Sequence, residues 1–257
     1  PPYSERRLDP VKAKGGSLQS IWERRYSEQE RIGLQVYYQY EDHEGLLDRF
    51  RLDTLDLDFQ HSFAWGEQQA LVWGLNYRRY HDQFDSSELI LLTPNSQTAD
   101  LFSLFAQDQI QLAENWQLTL GARLEHNDYT GWEWQPSARL LWKPDDTQRV
   151  WGSISRAVRT PSRIEEDARI NMVVVPPWVT GSLPGIVATF GDQNFKAEKL
   201  TAYEIGYRTW LGRDFSVDVT AFYNDYDDLF ATVQGEPFLE VNPPPPHLVL
   251  PLYFRNL

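Results

Sequence analysis

Cysteine is absent from the chain, so no disulfide and no thiolate metal site is available to it. The same absence leaves the redox compartment unreadable from thiols. Uninterrupted apolar runs are missing too: no stretch approaches the ~18 residues a membrane-spanning helix needs. Basic side chains are in deficit, 24 Lys and Arg against 37 Asp and Glu, for a net charge of −13. With a pI near 4.8, that argues against non-specific phosphate binding, and no nucleic-acid partner is expected. Catalytic signatures are lacking: no Ser-centred elbow, His-Glu-x-x-His, phosphate loop or dinucleotide fingerprint. Pro1-Pro2-Tyr3 does not read as an export start, so the chain is expected to be a fragment or a processed product, and residues through Gly16 show no periodicity.

Aromatic side chains are plentiful, with 10 Trp among them and 14% of residues aromatic. A mean hydropathy of −0.53 argues at first for a water-soluble protein. A transmembrane β-barrel escapes that test, because only alternate residues of each strand meet lipid. Amphipathic aromatic rings concentrate where such strands cross the headgroup level.

Period-two alternation recurs through the chain in about ten stretches of roughly 9–14 residues. The first covers Ser17–Tyr26. The second is the clearest: Ile32, Leu34, Val36, Tyr38 and Tyr40 alternate with Arg31, Gly33, Gln35 and Gln39. The third carries Leu55, Leu57 and Phe59 against Asp56, Asp58 and Gln60, with a phase slip at Asp53-Thr54 that predicts a bulge. The sixth sets Leu118, Leu120, Ala122 and Leu124 against Thr119, Gly121, Arg123 and Glu125. The tenth sets Phe215, Val217, Val219, Ala221 and Tyr223 against Ser216, Asp218, Thr220 and Asn224.

Gaps between these stretches run short, long, short, long, the rhythm of tight periplasmic turns and longer external loops. Gly212-Arg213-Asp214 is one tight turn, and Lys143-Pro144-Asp145-Asp146 another. His81–Thr98 reads as a long loop, and Val158–Glu198 as the longest irregular stretch. Pro243–Pro246 cannot join a ladder, and its partner strand is placed near Leu252–Leu257. The fold class predicted is all-β, an antiparallel meander forming part of a large transmembrane β-barrel.

Ser155-Arg156-Ala157-Val158-Arg159-Thr160-Pro161-Ser162 resembles the segment of TonB-dependent outer-membrane receptors where a barrel strand enters an external loop. Glu198-Lys199-Leu200-Thr201-Ala202-Tyr203-Glu204-Ile205-Gly206-Tyr207-Arg208 is similar to the returning strand of that hairpin. Phe190 and Asn194-Phe195-Lys196 sit where the family has its pre-strand segment, without the usual Asn-Pro. Phe105-Ala106-Gln107-Asp108-Gln109 and Leu118–Arg123 resemble an earlier family hairpin. The resemblance implies a siderophore-receptor-like barrel of roughly 22 strands closed around a plug. About ten of those strands are recognisable. Residues 1–257 are therefore expected to be one partial barrel domain, its central portion, with the plug domain and closing strands outside it.

The function so implied is uptake of a scarce nutrient, foremost a ferric siderophore, with no catalysis and no cofactor. The implied partners are a small iron–siderophore ligand, the TonB energy-coupling system acting through the plug, and outer-membrane lipid. Ligand contacts are expected on external loops and the upper interior, from aromatic and Arg side chains that grip planar or anionic groups. The candidates are Tyr80, His81, Arg159, Arg163, Trp178 and Phe190. Gly121 and Gly206 are expected to admit a plug or neighbouring backbone, and Arg123, Arg139 and Arg208 to pair with carboxylates such as Glu125 and Glu204. Glu165-Glu166-Asp167 reads as a solvated loop face before a cation site. His43, flanked by Asp42 and Glu44, reads as exposed loop rather than metal ligand. Two alternatives share the strand pattern: a non-energised outer-membrane pore, and a soluble all-β carbohydrate-active protein whose apolar face lies in a two-layer core.

Overall fold

The structure is a computed structural model describing residues 11–45, 49–212 and 214–257. Its elements are β1 (Lys12–Arg25), β2 (Arg31–Glu44), β3 (Arg49–Trp65), β4 (Gln69–Asp85), β5 (Ile90–Leu92), β6 (Ser96–Ala113), β7 (Trp116–Asn127), β8 (Gly131–Trp142) and β9 (Gln148–Arg159). They continue with α1 (Arg163–Asp167), β10 (Ala168–Val175), α2 (Pro177–Thr180), β11 (Gly185–Phe190), β12 (Glu198–Leu211), β13 (Phe215–Asp227), β14 (Phe230–Gln234), β15 (Phe238–Glu240) and β16 (His247–Asn256). Ten of the strands form one sheet in the order β1-β2-β3-β4-β6-β7-β8-β9-β12-β13, a meander with antiparallel pairing throughout.

Alternation in the sequence becomes two chemically distinct faces because paired residues of neighbouring strands point the same way. Leu34, Phe59, Leu75, Leu104, Leu124 and Trp134 stand side by side across six strands. One residue further along, Gln35, Asp58, Asn76, Ser103, Glu125 and Glu133 form the matching row on the opposite face. The apolar row is open to the surroundings, with Leu34 and Leu104 each 40% exposed. Aromatic rings flank the apolar band at both ends: Trp65 and the stacked Trp116–Trp142 pair (5.5 Å) near the short turns, Trp132 near the β7–β8 turn. Leu104→Arg, at mid-band, is expected to cost about 2–4 kcal/mol of folding stability in a bilayer, read by denaturant unfolding in lipid vesicles.

The polar face is held by ion pairs and close packing rather than by an oily core. Arg123 donates to Glu125 at 3.0 Å, and Arg78 to Asp56 at 2.6 Å. Arg208 pairs with Asp218 on the neighbouring strand and not with Glu204, while Arg139 lies over the Trp151 ring at 5.5 Å. Gly206 makes room for that ring: a Cβ there would fall 2.0 Å from it. Gly121 similarly faces the Ser137 hydroxyl. A neighbouring side chain, and not a backbone, therefore occupies the space each glycine leaves.

Several sequence expectations change. The first strand starts at Lys12, because Lys12–Gly16 pair with Gly16's partner Tyr40 and the residues after it, up to Glu44, beyond the apolar band that creates the alternation. No bulge occurs at Asp53-Thr54, where the register to both neighbours is continuous. Asp53 takes an outward position and accepts from the Tyr38 hydroxyl at 2.5 Å, so the phase slip marks the edge of the band. Register shifts lie instead at Gln111/Ala113 and Asn171/Val173. The His81–Thr98 loop shrinks, because β4 runs to Asp85 and β6 begins at Ser96. The strand placed at Leu252–Leu257 begins five residues earlier, at His247. Arg213 of the predicted turn, and Pro1-Pro2-Tyr3, lie outside the described residues.

The largest correction concerns Val158–Glu198. It carries α1, β10, α2 and β11, and its two strands join a second sheet in the order β14-β16-β11-β10-β5, with β15 on β16. Its strands come from the β4–β6 and β9–β12 connections and from the segment after β13, all leaving the wall opposite the short turns, so it gathers at one end of the wall. Its β11–β16 pair is parallel. The buried apolar residues concentrate here: Phe84, Leu92 and Ala168 form a cluster against Phe50, Ile90 and Ile170. Phe50 and Phe84 pair across β3–β4 in step with Asp82, Tyr80 and Arg78, so the loop-built sheet packs against the end of the polar face. The apolar side chains of the wall do not meet one another in a two-layer core, which overturns the soluble-sandwich alternative.

Candidate functional site

Val158 to Glu198 is tied to the wall by two arginines. The single turn α1 starts at Ser162, whose backbone N–H and hydroxyl both reach the Glu165 carboxylate (2.7 and 2.9 Å), a capping arrangement that fixes the turn. Arg159, at the end of β9, donates to Glu198 at 2.8 and 2.9 Å and to Glu165 at 2.7 and 3.1 Å. Arg163 is buried. It contacts Asp82 of β4 and the Pro94 carbonyl, and lies 3.5 Å from Asp167. Bidentate guanidinium–carboxylate geometry of this kind fixes position as well as charge.

These contacts recast the acidic run. Glu165 and Asp167 are anchors of α1 and not a solvated face, and no cluster fit to hold a metal ion occurs among the described residues. Burial alone would raise Glu165, but Arg159 and Ser162 hold it below the usual carboxylate range. Glu166 behaves oppositely. Burial, then the nearby Asp167, Asp192 and Glu165, push its carboxyl up to about 7, and its Oε1 has no hydrogen-bond partner. An acid held protonated by the fold weakens that fold as pH rises. Below its ordinary 4.5 both states carry the proton, between 4.5 and about 7 the released segment loses it first, and above about 7 the whole penalty is present. Glu166→Gln is therefore expected to tighten α1 at neutral pH and to flatten its dependence over that window. Hydrogen exchange of residues 160–197 across pH 4–8 checks this.

The six sequence candidates do not form one site. Tyr80 and Arg163 line a cavity of about 390 Å³ together with Arg78, Asp82 and Tyr129, on the polar face below α1. Burial and the Tyr80 hydroxyl raise Tyr129, keeping it a neutral phenol. Phe190 lines a second cavity of about 490 Å³ with Glu166, Asp192 and Arg255, in a ladder where Arg169 covers Phe190 at 5.3 Å and Phe190 tilts on Tyr253 at 5.6 Å. Arg159 is committed to its two carboxylates. His81 stands on the outward face, its Nδ1 2.8 Å from the Thr98 hydroxyl, and so does not line the interior. Trp178, in α2, is 75% exposed and lines none of these cavities.

A third and roomier cavity, about 930 Å³, was not visible in the sequence. Met172, Val173, Val174, Ile186, Pro243 and Pro244 supply its apolar wall. Its polar end is a triad: Arg169 donates to both Glu240 oxygens (2.7 and 2.6 Å), and His247 Nε2 lies 3.0 Å from Glu240. The Arg169 guanidinium, then His247, hold the Glu240 carboxyl below its usual range. Seventy-one residues separate Arg169 from Glu240, so no local pattern announces the pair. A mostly apolar concavity with a few converging polar groups is the general form of a small-molecule site.

A family model described as TonB dependent receptor-like, beta-barrel, matches residues 7–256. The chain belongs to that family. Its apolar face therefore meets lipid in the bacterial outer membrane, and its polar face lines the barrel interior. Over 129 residues it is 30% identical to an iron-regulated outer membrane virulence protein of Vibrio cholerae, covering 50% of this chain and 18% of that protein. Over 132 residues it is 37% identical to a ferric enterobactin receptor of Pseudomonas aeruginosa, covering 51% of this chain and 17% of that receptor. The fold matches the siderophore receptor PirA of Acinetobacter baumannii with a TM-score of 0.71 at 16% identity, over 96% of this chain and 40% of that one. The chain thus spans under half the length of each of these proteins.

Proposed function

We propose that the chain is the central part of an outer-membrane receptor that imports a ferric siderophore and performs no catalysis. The carrying observation is the loop-built sheet. Two connections of the wall and the segment after β13 converge into one sheet, packed on the end of the interior face, around a cavity of about 930 Å³. A plain diffusion pore has no use for an ordered small-molecule site at its mouth. The iron-regulated and enterobactin-binding relatives supply the nutrient class. Capture would occur on the loops, and passage through the interior would draw on the TonB system through a plug domain contributed by the rest of the receptor.

Growth tests this reading. A strain deleted for the receptor gene is supplied with a panel of iron complexes, cobalamin and glycans as limiting nutrients. Loss of growth on one or more iron complexes, restored by the gene only when TonB is intact, is the expected result. Unimpaired growth on every iron complex, or restoration independent of TonB, would overturn it.

A further inference from the structure

The loop-built sheet is acidic, and its cations are already taken. Residues 86–95, 128–130, 160–197 and 228–257 contain four Lys and Arg against nine Asp and Glu. Arg163 is held by Asp82 and Asp167, Arg169 by Glu240, Arg255 by Asp192, and Lys196 lies 3.4 Å from Asp228. At the wall below, Arg159 is shared by Glu165 and Glu198, and Lys199 by Asp228. Every Lys and Arg side chain in those loop segments is thus paired with a carboxylate.

The pairing is tightest at the large cavity. All three nitrogens of the Arg169 guanidinium are engaged, Nε with Asn171 at 3.0 Å and both terminal nitrogens with Glu240. His247 presents its Nδ1 to the Pro245 carbonyl and its Nε2 to Glu240. Glu88 adds a further carboxylate to the rim. An anionic ligand would have to displace Glu240 from a bidentate pair while approaching Glu88, which places like charges together. An uncharged ligand meets neither obstacle. The wall of Met172, Val173, Val174 and Ile186 offers it apolar contact, and Met adapts to irregular shapes.

We propose that this cavity selects an electrically neutral iron complex with an apolar periphery, of the trihydroxamate class, over a trianionic tris-catecholate. The inference rests on the ferric-siderophore reading above and narrows it. It separates this chain from what the name of its Pseudomonas aeruginosa relative says that relative binds.

Titration of the intact, detergent-solubilised receptor with ferrichrome and with ferric enterobactin, followed by quenching of tryptophan fluorescence, tests it. Ferrichrome is expected to bind at least about tenfold more tightly, a difference typical of one unfavourable charge contact. Glu240→Gln, which frees Arg169, is expected to narrow the gap from the catecholate side. Glu88→Gln, at a rim position held through its backbone carbonyl by Asn171 rather than through its carboxylate, is expected to do the same without disturbing the fold, and added salt to narrow it further. Tighter binding of ferric enterobactin to the wild-type receptor would overturn the proposal and leave the siderophore reading standing. Binding of neither complex, together with unimpaired growth of the deletion strain on every iron complex, would overturn both.

Discussion

Replacing Arg163 with methionine is expected to destabilise the docked loop segment by about 3–5 kcal/mol, because it leaves Asp82 and Asp167 buried without their counter-charge. Asp82 and Arg163 are both largely buried, so the loss is not screened as a surface pair would be. Three tethers would go together: the contact to β4, the contact to the Pro94 carbonyl beside β5, and the brace within α1. Residues 160–197 of Arg163→Met are expected to become sensitive to external protease on whole cells, and binding at the loop cavities to weaken with them. Asp82→Asn in the same background removes one stranded charge and is expected to restore part of the protection. Were Arg163 instead a ligand contact, as its residue type first suggested, the variant would keep the protease resistance of the parent and lose binding alone.

Gly74→Val is expected to abolish folding of the wall. Valine normally favours a strand, yet a Cβ at Gly74 would lie 2.4 Å from the Phe59 carbonyl oxygen and 2.6 Å from the Phe105 ring. A ring can turn aside, but the carbonyl belongs to the β3–β4 ladder and cannot move without breaking it. Overpacking against backbone in a central strand costs on the order of 3 kcal/mol or more. Gly33 occupies the same row of the polar face two strands away, with Gln60 between, and a Cβ there meets nothing within 4 Å. Gly33→Ala is expected to leave folding unchanged. Heat-modifiable migration on gels, which separates folded from unfolded barrels, reads both variants side by side.

The wall was legible in the sequence because lipid and water impose opposite demands on successive residues. Ile32 to Tyr40 and Leu118 to Glu125 carry that demand without interruption, and the strands there appear where the alternation put them. Legibility failed wherever a strand left the band. Lys12–Gly16 is strand by pairing alone, exposed along its length and without alternation to betray it. Arg49–Asp53 alternates in the opposite phase to Leu55–Phe59, because Phe50 faces the loop-built sheet at the end of the polar face rather than the apolar band. The loop-built sheet was hidden for a different reason. Its strands are short, Met172 to Val175 is an apolar run without period two, and its partners lie far off in the chain. Residue type pointed to Arg159 and Arg163, but only their partners reveal latches. Arg169, Glu240 and His247 gave no signal at all, because three unremarkable positions meet only once β10, β11, β15 and β16 are assembled.

Single-cysteine spin labelling tests most directly which face meets hydrocarbon, and the chain's lack of native cysteine makes every introduced thiol unique within it. Labels at Leu75, Leu104 and Leu124 alternate with labels at Asn76, Ser103 and Glu125 in vesicles containing the intact receptor. Collision with dissolved oxygen is expected to be high for the first three, and collision with a water-soluble nickel complex high for Asn76, which is half-buried where Ser103 and Glu125 are buried. Equal shielding of Leu75, Leu104 and Leu124 from both reagents would contradict the account, since it would mean that those side chains are packed in protein.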